Sequence, residues 1–129
     1  MSTTSAPAPL LQSGMQAGAV PSAAAAADGI VNALTIDVED YFQVSAFAPH
    51  IPRSTWDSLP CRIEANVDRI LALLEQTSVH ATFFTLGWIA ERYPHAIRRI
   101  VDGGHEIASH GYEHFRATEQ GYGQFLADI

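Results

Sequence analysis

Two short clusters of acidic and histidine side chains in this sequence have the composition of a metal site. Asp37, Glu39 and Asp40 follow a β-branched segment, and His110 and His114 follow a second apolar segment. Side chains two residues apart in a strand share a face, so we expect Asp37 and Glu39 to point together. His110 and His114 are four residues apart, so in a helical turn both imidazoles would lie on one face and could bind one ion.

The two clusters together predict a catalytic metal site. Two histidines and one carboxylate provide three ligands for a divalent ion and leave positions for water, which is typical of catalytic rather than structural sites. A second carboxylate nearby can act as the general base. Each cluster alone is weak evidence, because acids after a strand are often solvated loop residues. Three other histidines have no such neighbours and are assigned no role: His50, His80 and His95.

The segments between the clusters alternate between strand and helix patterns. Strands are predicted at residues 30–38, 79–86 and 105–109. Helices are predicted at 62–76, from about 88 with an interruption at Pro94 until Gly103 and Gly104, and from 117 to 129. Residues 41–60 contain three prolines and are predicted to form a loop.

This order predicts an α/β fold with parallel strands and right-handed crossovers. Such folds collect their working groups at the carboxyl ends of the strands, which is where both clusters lie. Three parallel strands leave both sheet edges open, so we expect the N-terminal part of a larger barrel or sheet.

Composition excludes several classes of function. The chain has 129 residues, enough for one domain. Its formal net charge is -7, and its Lys and Arg residues do not cluster. This charge argues against nucleic acid and anionic membrane surfaces as partners. No apolar run reaches the roughly 18 residues of a transmembrane helix. The single cysteine, Cys61, excludes an internal disulfide and is expected to be a small, at least half-buried side chain.

The first 28 residues differ in composition from the rest. Residues 1–28 are rich in Ala, Pro and Ser and contain no Lys, Arg or aromatic residue. A signal peptide would have a basic start and a Leu-rich core, so we predict a disordered leader, with the domain at 29–129 and a cytoplasmic location favoured.

Three segments resemble polysaccharide deacetylases of carbohydrate esterase family 4, the proteins with a NodB homology domain. Residues 35–42 (Thr-Ile-Asp-Val-Glu-Asp-Tyr-Phe) are similar to the first motif, 81–84 to the second strand and 104–114 to the histidine motif. The resemblance is greatest to the branch associated with exosortase and exopolysaccharide loci. It implies the N-terminal part of a distorted (β/α)7 barrel, truncated here, and an enzyme that removes N-acetyl groups from hexosamines in a polymer.

The first motif departs from the family pattern. The family places two Asp residues side by side, the first as base and the second as metal ligand, but here Val38 follows Asp37. With Asp37 as the catalytic base, the shared strand face makes Glu39 the expected metal ligand beside the two histidines. Asp40 remains the alternative carboxylate ligand.

The histidine motif departs too, because Gly111 stands where the family usually has Ser or Thr. This change favours relatives that include cyclic-imide hydrolases and allantoinase-like proteins, so a cyclic imide or allantoin-type amidohydrolase is the alternative function. The family's later Arg-Pro and distal histidine motifs do not occur in these 129 residues. An inactive truncated fragment is therefore the second alternative.

The resemblance thus predicts a metal-dependent hydrolase of non-peptide carbon–nitrogen bonds. His110, His114 and Glu39 would bind Zn²⁺, with Co²⁺, Ni²⁺ or Fe²⁺ as alternatives, and Asp37 would take the proton of the attacking water. The expected partner is an N-acetylated polysaccharide or oligosaccharide, and no oligomeric state is predicted.

Overall fold

A computed structural model describes residues 31–129, in which three parallel strands form one sheet. The strands are β1 (Thr35–Val38), β2 (Thr82–Thr85) and β3 (Glu106–Ser109), in the spatial order β1-β2-β3. The predicted alternation of parallel strands and helices is therefore confirmed. The predicted leader at residues 1–28 lies outside the described residues.

Helices connect the strands and follow the last one. They are α1 (Ile63–Thr77), α2 (Gly87–Arg92), α3 (Pro94–Asp102) and α4 (Tyr122–Asp128). Pro94 occupies the first turn of α3, as predicted, because its missing N–H has no partner to lose there. Short 3₁₀ helices lie at Tyr41–Gln43, Ser45–Phe47, Arg53–Ser58 and Ala117–Glu119, the first three within the predicted loop.

All three strands are shorter than the sequence predicts, and β2 and β3 are shorter for a common reason. The residues before β2 and before β3 complete the end of the preceding helix: the Val79 N–H donates to the Leu74 carbonyl, and the His105 N–H donates to the Ile100 carbonyl. The N–H groups of these residues cap helix carbonyls and so cannot pair with a neighbouring strand, although the apolar pattern assigns the residues to one.

The register of the sheet aligns the carboxyl ends of all three strands. Val38 pairs with Thr85, and Thr85 pairs with Ser109, so the strands end at one level. The pairing continues beyond β3, because the His110 N–H donates to the Thr85 carbonyl at 3.0 Å. The residues that directly follow β1 and β3 therefore leave the sheet at the same edge, on either side of β2.

The core forms between the sheet and its helices. The predicted apolar stripe of α1 is confirmed, with Ile63, Val67 and Leu74 buried. Phe83, at the centre of β2, is fully buried.

An aromatic cluster orders the proline-rich segment before α1. Phe42, Trp56 and Trp88 are buried, and each pair of their rings lies 5.8 Å apart between centroids. Edge-to-face pairs of this kind contribute about 0.5–1.5 kcal/mol each beyond the burial of their area. The segment 41–58 is thereby fixed against α2 rather than left as a free loop.

Asp40 joins the end of β1 to the start of α1. Its side chain is buried and accepts hydrogen bonds from the backbone N–H of Tyr41 and of Arg62, and its Oδ1 lies 2.9 Å from the Arg62 guanidinium. A capping box with Gln43 completes the contacts. Burial opposes ionisation of this carboxyl, but the hydrogen bonds from Arg62 and Tyr41 outweigh it and hold the pKa of Asp40 below its usual value.

His105 sits at the opposite end of the sheet, beside β2. Its Nδ1 accepts a hydrogen bond from the Ala81 N–H at 3.3 Å, and its ring lies 5.3 Å from that of Phe83. Burial, and secondarily the neighbouring His80, lowers the pKa of His105.

Within residues 31–129, no helix is both long and apolar enough to cross a bilayer. The cytoplasmic location stays a prediction.

We expect Asp40→Asn to lower the free energy of unfolding by about 2 kcal/mol, because hydrogen bonds to a buried charge are worth roughly 1.5–3 kcal/mol. Urea unfolding measures the change. Asp57→Asn is the matched control: Asp57 pairs with Arg92 at 3.0 Å, but its side chain is 66% exposed, and an exposed pair contributes about 0–1 kcal/mol. Equal losses in the two variants would contradict the role given to Asp40.

We expect His105 to make stability depend on pH in a defined direction. Its folded pKa lies below the unfolded value of 6.5, so its contribution is complete above about pH 6.5 and is lost as the pH falls through the folded pKa. Urea unfolding from pH 8 to pH 5 should show a stability difference between wild type and His105→Gln that shrinks on acidification. His95→Gln, at the exposed start of α3, controls for the loss of one imidazole. A difference that grows on acidification would contradict this.

Candidate metal centre

Three side chains with metal-binding atoms converge at the carboxyl edge of the sheet. One ligand atom from each of Glu39, His110 and His114 lies within 4.8 Å of the others. The Glu39 Oε2 atom is 3.4 Å from His114 Nε2 and 4.0 Å from His110 Nε2. One carboxylate and two imidazoles at these separations can converge on a single divalent ion.

Unsatisfied polar atoms indicate that an ion fits this group. Glu39 Oε2 and His110 Nε2 are both buried, and neither has a hydrogen-bond partner among the described residues. Burying a carboxylate oxygen without a partner is costly, whereas a cation between these atoms would satisfy both. The residues present therefore fit a divalent metal.

The helical turn considered for His110 and His114 does not form. Residues 110–116, here called the histidine loop, contain no helix. Two residues in the loop have left-handed backbone conformations, Gly111 with φ of 75° and His114 with φ of 63°. The two rings nevertheless lie 4.8 Å apart between centroids, so a bend with left-handed residues, and not a helical turn, brings them together.

Gly111 has a structural reason to lack a side chain. A Cβ atom at this position would lie 2.7 Å from Oδ2 of Asp128, closer than real contacts allow. The other Asp128 oxygen, Oδ1, accepts hydrogen bonds from the backbone N–H of Tyr112 and Glu113, at 3.1 and 3.3 Å. The Asp128 carboxylate of α4 therefore holds the histidine loop from the space that a Ser or Thr side chain at position 111 would occupy.

Asp37 lies beside the three converging residues. Its Oδ2 is 3.9 Å from His110 Nε2, and its side chain is 54% exposed, against 17% for Glu39. The predicted shared face of Asp37 and Glu39 agrees with this arrangement, since both carboxylates approach the same imidazole. The more exposed Asp37 is accessible to water and substrate, and Glu39 is the enclosed carboxylate.

Asp40, the alternative carboxylate ligand, is engaged elsewhere. Its two oxygens bind Arg62 and the Tyr41 N–H, and it is not among the converging atoms. Its role in the described chain is to fix the start of the segment that follows Glu39.

Sequence reasoning missed three residues that hold the histidine loop. The Ser45 hydroxyl lies 3.0 Å from His114 Nδ1, Arg53 pairs with Glu113, and Asp128 binds the loop backbone. Ser45 and Arg53 belong to the proline-rich segment, where no periodic pattern indicates a partner. Glu113 offers the one available signal, as an acid between the two histidines.

The residues left without a role in the sequence stay outside this site. His80 lies beside His105, 5.6 Å between ring centroids, and His95 is exposed at the start of α3. Cys61 is half-buried, and burial raises the pKa of its thiol, which disfavours the thiolate that a nucleophile requires.

A groove of about 420 Å³ opens next to His114. Apolar and aromatic side chains such as Phe42 and Ile51 line it together with Arg53 and Arg116. Its mixed lining can contact both the faces and the hydroxyl groups of a sugar.

Comparisons with known proteins agree on one family. A family model described as "Polysaccharide deacetylase" matches residues 52–129. A peptidoglycan-N-acetylglucosamine deacetylase of Bacillus cereus is 48% identical over 46 residues, which is 36% of this chain and 17% of the relative. A chitooligosaccharide deacetylase of a Bradyrhizobium species is 44% identical over 45 residues, 35% of this chain and 20% of that relative.

A solved structure shares the fold. The peptidoglycan deacetylase PdaC from Bacillus subtilis superimposes with a TM-score of 0.55 and 27% identity, over 75% of this chain and 37% of that one. The chain therefore spans well under half the length of these relatives. The family match at 52–129 includes both histidines but begins after Asp37 and Glu39.

We expect Gly111→Ala to disturb the histidine loop. A left-handed conformation costs a residue with a Cβ roughly 1–2 kcal/mol, and the added methyl would displace the Asp128 carboxylate from the loop. Unfolding free energy and Zn²⁺ affinity should both decrease. Gly123→Ala is the control, because Gly123 lies within α4 and a Cβ there meets nothing within 4 Å; it should be neutral or stabilising. A Gly111→Ala protein with wild-type values for both would refute this account.

Proposed function

The chain belongs to the polysaccharide deacetylase family, and from that premise we propose that it forms the metal-binding part of a hydrolase that removes N-acetyl groups from a polysaccharide. The observation that carries the proposal is the convergence of Glu39, His110 and His114 beside the exposed Asp37 carboxylate. An open ligand set next to a free carboxylate has the parts that metal-assisted amide hydrolysis requires.

Glu39, His110 and His114 would hold the ion. Zn²⁺ suits imidazole and carboxylate ligands, and Co²⁺, Ni²⁺ and Fe²⁺ bind similar sets, so Zn²⁺ is a preference. When bound, the ion would supply Lewis acidity toward the amide carbonyl and the attacking water. The enclosed position of Glu39 supports a ligand role, since a partly buried carboxylate needs a compensating cation.

Asp37 is proposed as the general base. Its carboxylate lies at the edge of the site, near His110 and open to solvent. A group in that position can accept a proton from a water that attacks the amide carbon, and its neighbour Glu39 remains free to act as ligand. The two acids of the first motif would thus share a strand face but perform different tasks.

The proposed substrate is a polymer that contains N-acetylated hexosamine. The relatives named above include enzymes for peptidoglycan and for chitooligosaccharide, which both carry N-acetylglucosamine. The groove beside His114 supports a sugar ligand, because apolar and charged side chains line it together next to one of the proposed metal ligands. An exopolysaccharide, as the resemblance to the exosortase-associated branch implies, is a particular case of this class.

We expect substitutions to separate the ligands from the base. His110→Ala and His114→Ala should abolish stoichiometric Zn²⁺ binding, and Glu39→Gln should weaken it. Asp37→Asn should keep the metal but lower turnover by about 10²–10⁴-fold, the usual contribution of a general base. Elemental analysis measures the metal, and acetate release from an N-acetylglucosamine oligomer measures turnover.

His95→Ala is the control for loss of an imidazole and should leave both readouts unchanged. Loss of metal in Asp37→Asn with retention in Glu39→Gln would reverse the two roles. Loss of the metal in Asp40→Asn, with the metal retained in Glu39→Gln, would transfer the ligand role to Asp40. Hydrolysis of allantoin without acetate release from the oligomer would replace the polysaccharide by a cyclic amide as the substrate.

A further inference from the structure

Ser45 contacts the histidine loop across 69 residues of sequence. Its Oγ lies 3.0 Å from Nδ1 of His114, and both side chains are partly buried. We propose that Ser45 is a positioning residue for His114: its hydroxyl holds the imidazole ring in the orientation in which Nε2 faces the proposed metal site. The inference rests on the proposed function, since it concerns a residue proposed there as a ligand.

The orientation of the His114 ring determines which nitrogen faces the site. Nε2 of His114 faces Glu39 Oε2 at 3.4 Å, so Nε2 is the nitrogen directed at the site. A neutral imidazole coordinates through the nitrogen that lacks a proton, and the other nitrogen must then carry it. In the tautomer that would bind a metal through Nε2, the His114 Nδ1–H donates to the Ser45 hydroxyl, which can accept it.

The backbone of His114 shows why such a contact is needed. His110 extends the sheet, and its N–H bonds to the Thr85 carbonyl, so the strand itself positions it. His114 lies in the irregular part of the loop, at a φ of 63° that side chains with a Cβ seldom adopt. A residue in this conformation persists only when surrounding contacts hold it, and the Ser45 hydroxyl is the hydrogen-bond partner of its ring.

Ser45 is itself held in place. It begins the 3₁₀ helix Ser45–Phe47, directly after the 3₁₀ helix that Asp40 and Gln43 cap. The Phe47 N–H donates to the Val44 carbonyl at 2.9 Å and closes this turn. A hydroxyl on a fixed turn can orient a ring, because little conformational entropy is lost when the hydrogen bond forms. On a mobile loop that entropy loss would offset the hydrogen bond.

The test compares Ser45→Ala and Ser45→Thr with wild type in the purified full chain. Zn²⁺ affinity is measured by competition with a chromophoric chelator, and the visible spectrum of the Co²⁺-substituted protein reports ligand geometry. Ser45→Ala should bind Zn²⁺ about 10–100-fold more weakly, the usual effect of removing a hydrogen-bond partner of a ligating histidine, and should change the Co²⁺ spectrum. Ser45→Thr keeps the hydroxyl and should restore both.

Ser58→Ala is the matched control, because Ser58 lies in the same segment and its hydroxyl bonds only to the Thr55 carbonyl among the described residues; it should bind Zn²⁺ as wild type does. Wild-type affinity in Ser45→Ala, with binding still dependent on His114, would overturn the role of Ser45 and leave the proposed function standing. Equal weakening in Ser45→Ala and Ser45→Thr would overturn the role of the hydroxyl. A wild-type chain that binds no Zn²⁺, or binds it independently of His114, would overturn both proposals.

Discussion

The buried carboxylate of Asp40 holds together the segments from which the candidate site is built. It binds the backbone N–H groups of Tyr41 and Arg62 and the Arg62 guanidinium, so the end of β1, the first 3₁₀ helix and the start of α1 meet at one charge. Glu39 directly precedes it, and Ser45 begins the next 3₁₀ helix along the chain after the one that Asp40 caps. The directions of both side chains therefore depend on a charge that takes no part in the proposed chemistry.

The opposite side of the site depends on a different set of restraints. The histidine loop continues the sheet at His110, donates two backbone N–H groups to the Asp128 carboxylate and pairs with Arg53 through Glu113. Arg53 also lies over the ring of Trp56, 4.5 Å from its centroid, so the ion pair is anchored in the aromatic cluster. Preorganisation of this kind matters because a ligand set binds tightly only when its members need no reordering on binding.

The sequence predicts much of this arrangement, and the limits have physical causes. Parallel strands, the apolar face of α1 and the gathering of both clusters at one edge follow from periodicity and from the rule that carboxyl ends carry the working groups. The turn at Gly111 could not be predicted, because the spacing of His110 and His114 fits a helix equally well. The contact between Ser45 and His114 could not be predicted either, because it joins segments 69 residues apart and depends on tertiary packing. Asp40 illustrates a third limit, since an acid beside a ligand motif looks like a ligand until its hydrogen bonds are known.

The anchoring of the histidine loop by α4 has a consequence for the order in which the site forms during synthesis. Glu39 and Ser45 are made early, the histidines much later, and the Asp128 carboxylate that braces their loop comes from the last helix of the described chain. Contacts between residues so distant in sequence close late in folding, because the chain entropy of the intervening segment must be overcome first. A nascent chain therefore displays an acidic strand end before it has any imidazole to pair with. Binding of the proposed metal would therefore be one of the final steps in the maturation of this region, after the sheet and its aromatic cluster have formed.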